Sequence, residues 1–148
     1  MISCPWPVER LLPHAAPMLL VDEAVAYSDT EVMAAATMRP DHPFARPEGV
    51  PGHVGIELMA QACGVHVGAL ALASAVPVRL GFLLGTRRYQ ATTAWFRFGQ
   101  RLELTARVVF RDEEMAVYDC RINADGELLA EAQLNLYQPK DGIKGSDV

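Results

Sequence analysis

The sequence holds only three cysteines, Cys4, Cys63 and Cys120, and no two of them form a C-x-x-C pair or a Cys/His ligand pair. A disulfide framework is thereby excluded, and reduced thiols in a cytoplasmic protein are the expectation. Cys63 falls in an apolar stretch without a neighbouring base, so it reads as packing rather than as a nucleophile. Positive charge is also scarce, with 13 Lys and Arg against 18 Asp and Glu and a formal net charge of −5. Nucleic acid is therefore not expected as the main partner, because phosphate binding needs a basic field. The opening MISCPWPVERLLPH lacks a basic region followed by an apolar run and does not read as a signal peptide. Metal-ligand spacing, G-x-S-x-G, a P-loop, G-x-G-x-x-G, internal repeats, heptads and low-complexity tracts are missing too. Formal charge is absent over residues 58–78, LMAQACGVHVGALALASAVPV, a length that a membrane-spanning helix needs. Yet this stretch is built on Ala and Gly, holds Gln61, His66 and Ser74, and meets Pro77 near its end, so insertion would be weakly driven. A buried helix of a soluble protein, with no membrane partner, is the better reading.

A chain of 148 residues that is 51% apolar and 21% charged is expected to fold as one domain around one core. It carries more apolar surface than a small monomer hides easily, and oligomerisation is the simple remedy. Between Arg79 and Arg111 stand seven arginines against the single acid Glu103, a half that suits an acidic protein or a phosphate-bearing ligand, or merely a set of solvated strand residues. Along the chain, residues 1–17 are rich in proline, with a short helix at 8–12 and residues 1–7 expected to fray. Residues 18–28 and 31–39 read as a hairpin. The loop 40–52, PDHPFARPEGVPG, cannot continue a ladder or a helix. A helix is expected from near His53 to about Ser74, in which Ala60, Gly64, Gly68 and Ala71 make a stripe of minimal side chains suited to close backbone packing. Four strands follow, at 78–90, 101–111, 115–124 and 127–137, the last two joined by ADG, a tight-hairpin signal. Residues 140–148 are expected to fray. Strands on both sides of one long apolar helix predict an α+β fold of about six strands with the sheet curled around that helix.

The unusual stretch is GVPGHVGIELMAQACG, residues 49–64, where an otherwise small and apolar helix carries Glu57 near its start and Gln61 one turn later. An acid there is either a dipole-favoured residue in an early helical turn or a group with a chemical use. His53 lies four residues before Glu57 and can hydrogen-bond it locally. His66 lies about half a turn away around the helix and reads as a packed or interface histidine.

Three segments together make the chain resemble the hotdog-fold 3-hydroxyacyl-acyl-carrier-protein dehydratases, and most closely their divergent branch in aryl polyene pigment biosynthesis. They are LPHAAPMLLVDEAV (12–25), PGHVGIELMAQACG (51–64), and GFLLGTRRYQ with GELLAEAQLNLY (81–90 and 126–137). The family pattern of Pro-Gly, four residues, an acid, then x-M/L-A-Q is met by Pro51, Gly52, Glu57, Met59, Ala60 and Gln61. The resemblance implies a hotdog fold, a curved sheet around a central helix that joins a second protomer's sheet, homodimeric or heterodimeric. It further implies dehydration of thioesters borne on the phosphopantetheine of an acyl carrier protein, with no cofactor of the enzyme's own.

By the same resemblance Glu57 takes the place of the catalytic acid, and His42 that of the base. His42 stands in the order His-Pro-Phe instead of the family's His-Phe-Pro, with one extra residue before the acid. His53 is its competitor for that role. Such chemistry removes a weakly acidic C2 proton, stabilises an enolate-like oxygen and protonates a departing hydroxyl. The Gly52 and His53 amides, at the helix start, are the expected oxyanion donors. Burial of Glu57 in an apolar wall would favour the protonated acid that donation requires. Gln61 could orient Glu57 or serve helix–sheet contact. Gly81 and Gly85 would admit a narrow acyl or pantetheine arm, or mark a bulge pair. His14 matches a landmark of the family and reads as a loop residue. A non-catalytic subunit complementing an active partner and a hotdog thioesterase are the other readings.

Overall fold

The computed structural model describes residues 1–12, 18–78 and 81–138. A short strand β1 (Ile2–Ser3) and a single helical turn α1 (Val8–Leu11) precede the hairpin β2 (Glu23–Tyr27) and β3 (Glu31–Thr37). The Pro/Gly loop follows and closes in β4 (Val50–Pro51). A 3-10 turn at Gly52–Val54 then runs straight into the long helix α2 (Gly55–Ala73). Beyond it come β5 (Phe82–Ala91), β6 (Trp95–Phe96), β7 (Arg101–Arg111), β8 (Met115–Ala124) and β9 (Glu127–Tyr137). The sheet is antiparallel with the order β1-β2-β3-β7-β8-β9-β5, while β4 and β6 form a separate two-stranded ribbon.

The expected α+β architecture is present, and its local causes are visible. In β7, Leu102, Leu104 and Ala106 are buried while Glu103 and Thr105 between them are not, which is the period of two for a strand with one face on the core. Those residues meet Leu58, Met59, Ala62, Cys63, Val65 and Ala69 of α2 in the core, together with Tyr118, Ile122 and Leu134. Asp125 and Gly126 both take positive φ, 51° and 78°, which closes the β8–β9 hairpin as the ADG signal predicts. At the helix end Ala75 adopts φ 56°, Val76 N–H donates to the Ala71 carbonyl and Ala75 N–H to that of Leu72, an ending usually built on glycine.

The small-residue stripe has a partner. A Cβ on Gly64 would lie 2.7 Å from Leu12 Cδ2, and one on Gly68 would collide with the Leu11 backbone, so α1 lies directly on α2. Two expectations need correction. Residues 1–7 do not fray, because Ile2 and Ser3 pair with Tyr27 and Ala26, Cys4 N–H donates to the Val25 carbonyl, and the Trp6 ring packs on Tyr27. The first hairpin strand begins at Glu23 and not at residue 18, because Met18 to Val21 find their hydrogen bonds elsewhere, on Gln61 of the helix. The terminal segment 140–148 and His14 lie outside the described residues.

Candidate active site

The start of α2 is fixed from two sides. On one side the β4–β6 ribbon pairs Val50 with Phe96 and Pro51 with Trp95, and Gly52 N–H donates to the Ala94 carbonyl at 2.8 Å. Gly49, at φ 137°, and Gly52 both need to be glycine here, since a Cβ would lie 2.5 Å from the Phe96 carbonyl oxygen or 2.6 Å from that of Thr93. On the other side β5 carries a register shift between Arg87 and Gln90, with Arg88 at φ 56°. That bulge accompanies a Tyr89 hydroxyl that donates to the Gly52 carbonyl and occupies the space a side chain on Gly55 would need. Burial raises the Tyr89 phenol above its ordinary pKa, so it stays a donor. Sequence reading missed Tyr89; the only available signal is an aromatic after two arginines in a strand bounded by glycines.

These anchors correct one assignment. The Gly52 amide does not await an oxyanion, because its hydrogen already goes to Ala94. The donor left at the helix start is instead the His53 amide, which precedes the first bond of the 3-10 turn, whereas i→i+3 bonding in such a turn takes the Val54 amide to the Pro51 carbonyl. Gly52 serves by close approach.

Glu57 lines a cavity of about 680 Å³ that follows one face of α2, through Ala60, Gly64, Val67, Ala71 and Ser74. Residues at such three- and four-residue intervals share a face, so the groove runs with the helix for most of its length. Gly81 lies on the same cavity; Gly85 does not, and a Cβ on it would meet nothing within 4 Å. Glu57 itself is half-buried within the single chain, not sealed in an apolar wall as expected.

Gln61 is also corrected. It is 2% exposed, and its side-chain oxygen accepts from Leu20 N–H at 2.8 Å and Val21 N–H at 3.3 Å, while its amide nitrogen donates to the Met18 carbonyl at 2.7 Å. The amide replaces a neighbouring strand for residues 18–21, and among the described residues no hydrogen bond joins it to Glu57.

The histidines separate by environment. His53 is exposed, and among the described residues no hydrogen bond joins it to Glu57. His66 is 0% exposed and fully satisfied, with Nε2–H donating to the Ser28 carbonyl at 2.8 Å and Nδ1 taking the Tyr118 hydroxyl at 2.7 Å. Burial pulls its pKa below the ordinary histidine value. His42 lies in the loop between β3 and β4, where its Nδ1 receives the Phe44 amide hydrogen at 3.1 Å. Its Nε2 is buried without a partner, and desolvation lowers its pKa against the opposing pull of Asp22 and Asp41. His42 is not on the cavity wall that holds Glu57, so one chain does not bring the two together. Cys63 and Cys120 are both buried with their sulfurs 3.6 Å apart, and burial holds the Cys63 thiol protonated, which fits packing and not nucleophilic chemistry. Among the described residues no group of three or more His, Cys, Asp or Glu could hold a metal ion. The segment Gly52–Ala73 is long and apolar enough to cross a membrane, yet half of it is buried against the rest of the chain.

Of the seven arginines, Arg101 and Arg107 pair with Glu23 at 3.0 Å and Asp119 at 3.9 Å, all exposed. Arg87, Arg88, Arg97 and Arg111 make no ion pair among the described residues.

Comparison with known proteins follows the same line. Residues 6–145 match the model of an ApeP-like family described as ApeP dehydratase. The chain is similar to the 3-hydroxyacyl-[acyl-carrier-protein] dehydratase FabZ of Streptococcus equi subsp. zooepidemicus, 31% identical over 133 residues, spanning 86% of this chain and 91% of that protein. FabZ of Streptococcus thermophilus is 30% identical over 138 residues, with the same coverage. Among solved structures, the dehydratase heterocomplex ApeI:P from Xenorhabdus doucetiae superposes with a TM-score of 0.88 at 33% identity, covering 96% of this chain and 94% of that one. A hypothetical thioesterase protein of Streptococcus pneumoniae solved with coenzyme A, at 16% identity and a TM-score of 0.63, shares the fold alone.

Proposed function

The chain belongs to the ApeP-like dehydratase family, and from that premise we propose that it dehydrates 3-hydroxyacyl thioesters carried on an acyl carrier protein to 2-enoyl thioesters. The observation that carries this reading is the placement of Glu57 in the first turn of α2, on the wall of a mainly apolar groove of about 680 Å³. Elimination passes the C2 proton to a histidine base, His42 of either protomer or its competitor His53, turns the C2–H electron pair into the C2=C3 bond and expels the C3 hydroxyl. Glu57 hands that hydroxyl a proton, and water leaves. The His53 amide, with the positive end of the helix dipole behind it, supports the thioester oxygen while charge builds on it. Tyr89 holds the first turn in place through the Gly52 carbonyl.

The protein would act as a hotdog dimer, with itself or with a second hotdog chain, in the cytoplasm. Support comes from β5, which pairs only with β9, lies at the sheet edge and exposes Leu84 by 57%. A ten-residue edge strand with apolar side chains is a template for another strand. Such pairing would also enclose the half-buried Glu57. The acyl group would arrive on phosphopantetheine, with no cofactor of the enzyme's own, and the unpaired arginines give an acidic carrier a complementary surface. An aryl polyene precursor is the substrate class that the family points to.

The test uses a 3-hydroxyacyl thioester and follows enoyl absorbance and free thiol together. Conversion without thiol release is expected, and Glu57→Gln should lower it by about 10²- to 10⁴-fold, the usual worth of a positioned acid, with the fold unchanged by circular dichroism. Thiol release by the wild type would mean hydrolysis instead, and an unimpaired Glu57→Gln variant would remove Glu57 from the reaction.

A further inference from the structure

We propose that Tyr89 is the positioning residue of the oxyanion donor: by bonding the Gly52 carbonyl, its hydroxyl aims and polarises the N–H of His53, which belongs to the same peptide group. The proposal rests on the dehydratase reading above and extends it from the reacting groups to the side chain that sets one of them. A peptide group is planar and, away from proline, trans, so its C=O and N–H point in opposite directions and turn only together. Whatever fixes the Gly52 carbonyl therefore fixes the His53 N–H. A hydrogen bond accepted at that oxygen also polarises the amide and strengthens its N–H as a donor, by about 10–30% per bond.

The Gly52 carbonyl does not need Tyr89 for its own satisfaction. It already accepts the Gly55 amide hydrogen within the 3-10 turn, while the Gly52 amide is taken by Ala94 at 2.8 Å. Yet three local features bring the phenol there. Strand β5 pairs Arg87 with Gln133 and Gln90 with Glu131, so two residues, Arg88 and Tyr89, stand where the partner strand has only Ala132. Arg88 takes φ 56°, a left-handed conformation that costs a residue with a side chain. Position 55 is glycine, and a Cβ there would collide with the phenol oxygen and come within 3.1 Å of Ile122 Cδ1. Strain of this kind persists where a site gains from the geometry it imposes.

The His53 N–H is left to act. It precedes the first bond of the 3-10 turn, and among the described residues it makes no hydrogen bond. It stands four residues before Glu57, about one turn, which sets donor and acid on the same side of the helix start. Charge gathers on the thioester oxygen only as the C2 proton leaves. A better-aimed and more polar N–H thus stabilises the transition state more than the bound substrate, and its loss falls on kcat while KM is kept.

The test uses Tyr89→Phe, which keeps the ring against Gly55 and removes only the O–H. In the assembly that converts a 3-hydroxyacyl thioester, kcat should fall by about 2- to 12-fold, the worth of one hydrogen bond, with KM within about twofold. A raised KM with kcat kept, or no change in either, overturns the proposal. The second readout needs no turnover. A saturated acyl-pantetheine analogue with a methylene in place of the thioester sulfur is neither dehydrated nor hydrolysed, and the isotope-edited infrared stretch of its carbonyl reports the donor directly. Bound to wild type, the stretch should lie below its value in an apolar solvent, and in Tyr89→Phe it should move back up. An unmoved stretch leaves the phenol a purely structural role and refutes positioning. Should Tyr89→Phe fail to fold, a ring-fluorinated tyrosine at residue 89 keeps the hydroxyl as a stronger donor and should move the stretch further down; no movement is again refutation. Thiol release in the wild-type assay would sink the dehydratase reading alone, because the infrared shift judges Tyr89 whether the enzyme eliminates or hydrolyses.

Discussion

Replacing Gln61 by leucine separates a structural amide from a catalytic one. The two side chains are similar in size, so the change removes hydrogen bonding and leaves the space filled. Three backbone groups lose their partner: the Leu20 and Val21 N–H groups and the Met18 carbonyl. Leu20 and Val21 are buried, at 4% and 1% exposure, and water cannot replace the lost acceptor without opening the segment. The Met18 residue is exposed, and its carbonyl can rehydrate cheaply. Two orphaned buried donors at about 1–3 kcal/mol each give an expected loss of about 2–6 kcal/mol. Against a usual stability of about 5–15 kcal/mol, that is a large share of the total. Urea unfolding should show the midpoint falling with little change in slope, and native hydrogen exchange should show residues 18–21 opening first. A Gln61→Leu variant within about 1 kcal/mol of wild type would refute the account, because the buried N–H groups would then have some other acceptor.

Two further expectations concern packing and pH. Gly68→Ala sets a methyl group against the Leu11 backbone. Since backbone cannot swing aside as a side chain does, it should destabilise the protein by about 1–3 kcal/mol in the same urea assay, while Gly85→Ala, facing open space in the single chain, should not. His66 is buried and uncharged in the folded protein, its pKa lowered mainly by burial and by Arg111, with the Ser28 carbonyl, Asp29 and Glu31 pulling the other way. The unfolded chain takes up that proton below about pH 6.5, whereas the folded chain takes it up only at lower pH. Stability should therefore be full above that pH and fall as the solution is acidified toward the folded pKa, by at most about 1.4 kcal/mol per pH unit. Unfolding midpoints between pH 7 and 5 for wild type and His66→Gln test this, and equal slopes would exclude His66 as the source.

The legible parts of this fold are those whose cause lies within a few residues. Helix α2 announced itself by composition, the β8–β9 turn by Asp-Gly, and β7, β8 and β9 by alternation, and each sits where the pattern puts it. Gly52 was misassigned, and Gln61 was left open between orienting Glu57 and a packing contact, for a shared reason. Each carries a polar group whose partner lies about forty residues away, Ala94 for the Gly52 amide and Met18 to Val21 for the Gln61 side chain. Nothing in the spacing around Glu57 reveals that the sheet leaves residues 18–21 without a neighbour. A buried polar group satisfies the nearest needy backbone first, because an unpaired buried N–H costs more than a pair gains. Function is available only to polar atoms left over after that demand is met.

The same logic distinguishes Glu57 and His42 from Gln61. Glu57 faces a groove, and His42 Nε2 has no partner among the described residues, so each retains a polar atom that the described fold does not consume. His42 also shows how local sequence order reaches the chemistry. The His-Pro-Phe order puts a proline between the histidine and the next free amide, and that amide, on Phe44, is the one that reaches the ring. With proline directly after the histidine there is no N–H at residue 43 to compete for Nδ1. In the order His-Phe-Pro the amide two residues on would belong to proline and would not exist, so Nδ1 could not be claimed in this way. The transposition that makes the motif look imperfect is thus a physical cause for the bond at Nδ1. Moving the proline back, with Pro43→Phe and Phe44→Pro together, should release Nδ1, which the nitrogen-15 spectrum of His42 would register directly. An unchanged spectrum in a folded double variant would mean that the ring is held by something other than the Phe44 amide.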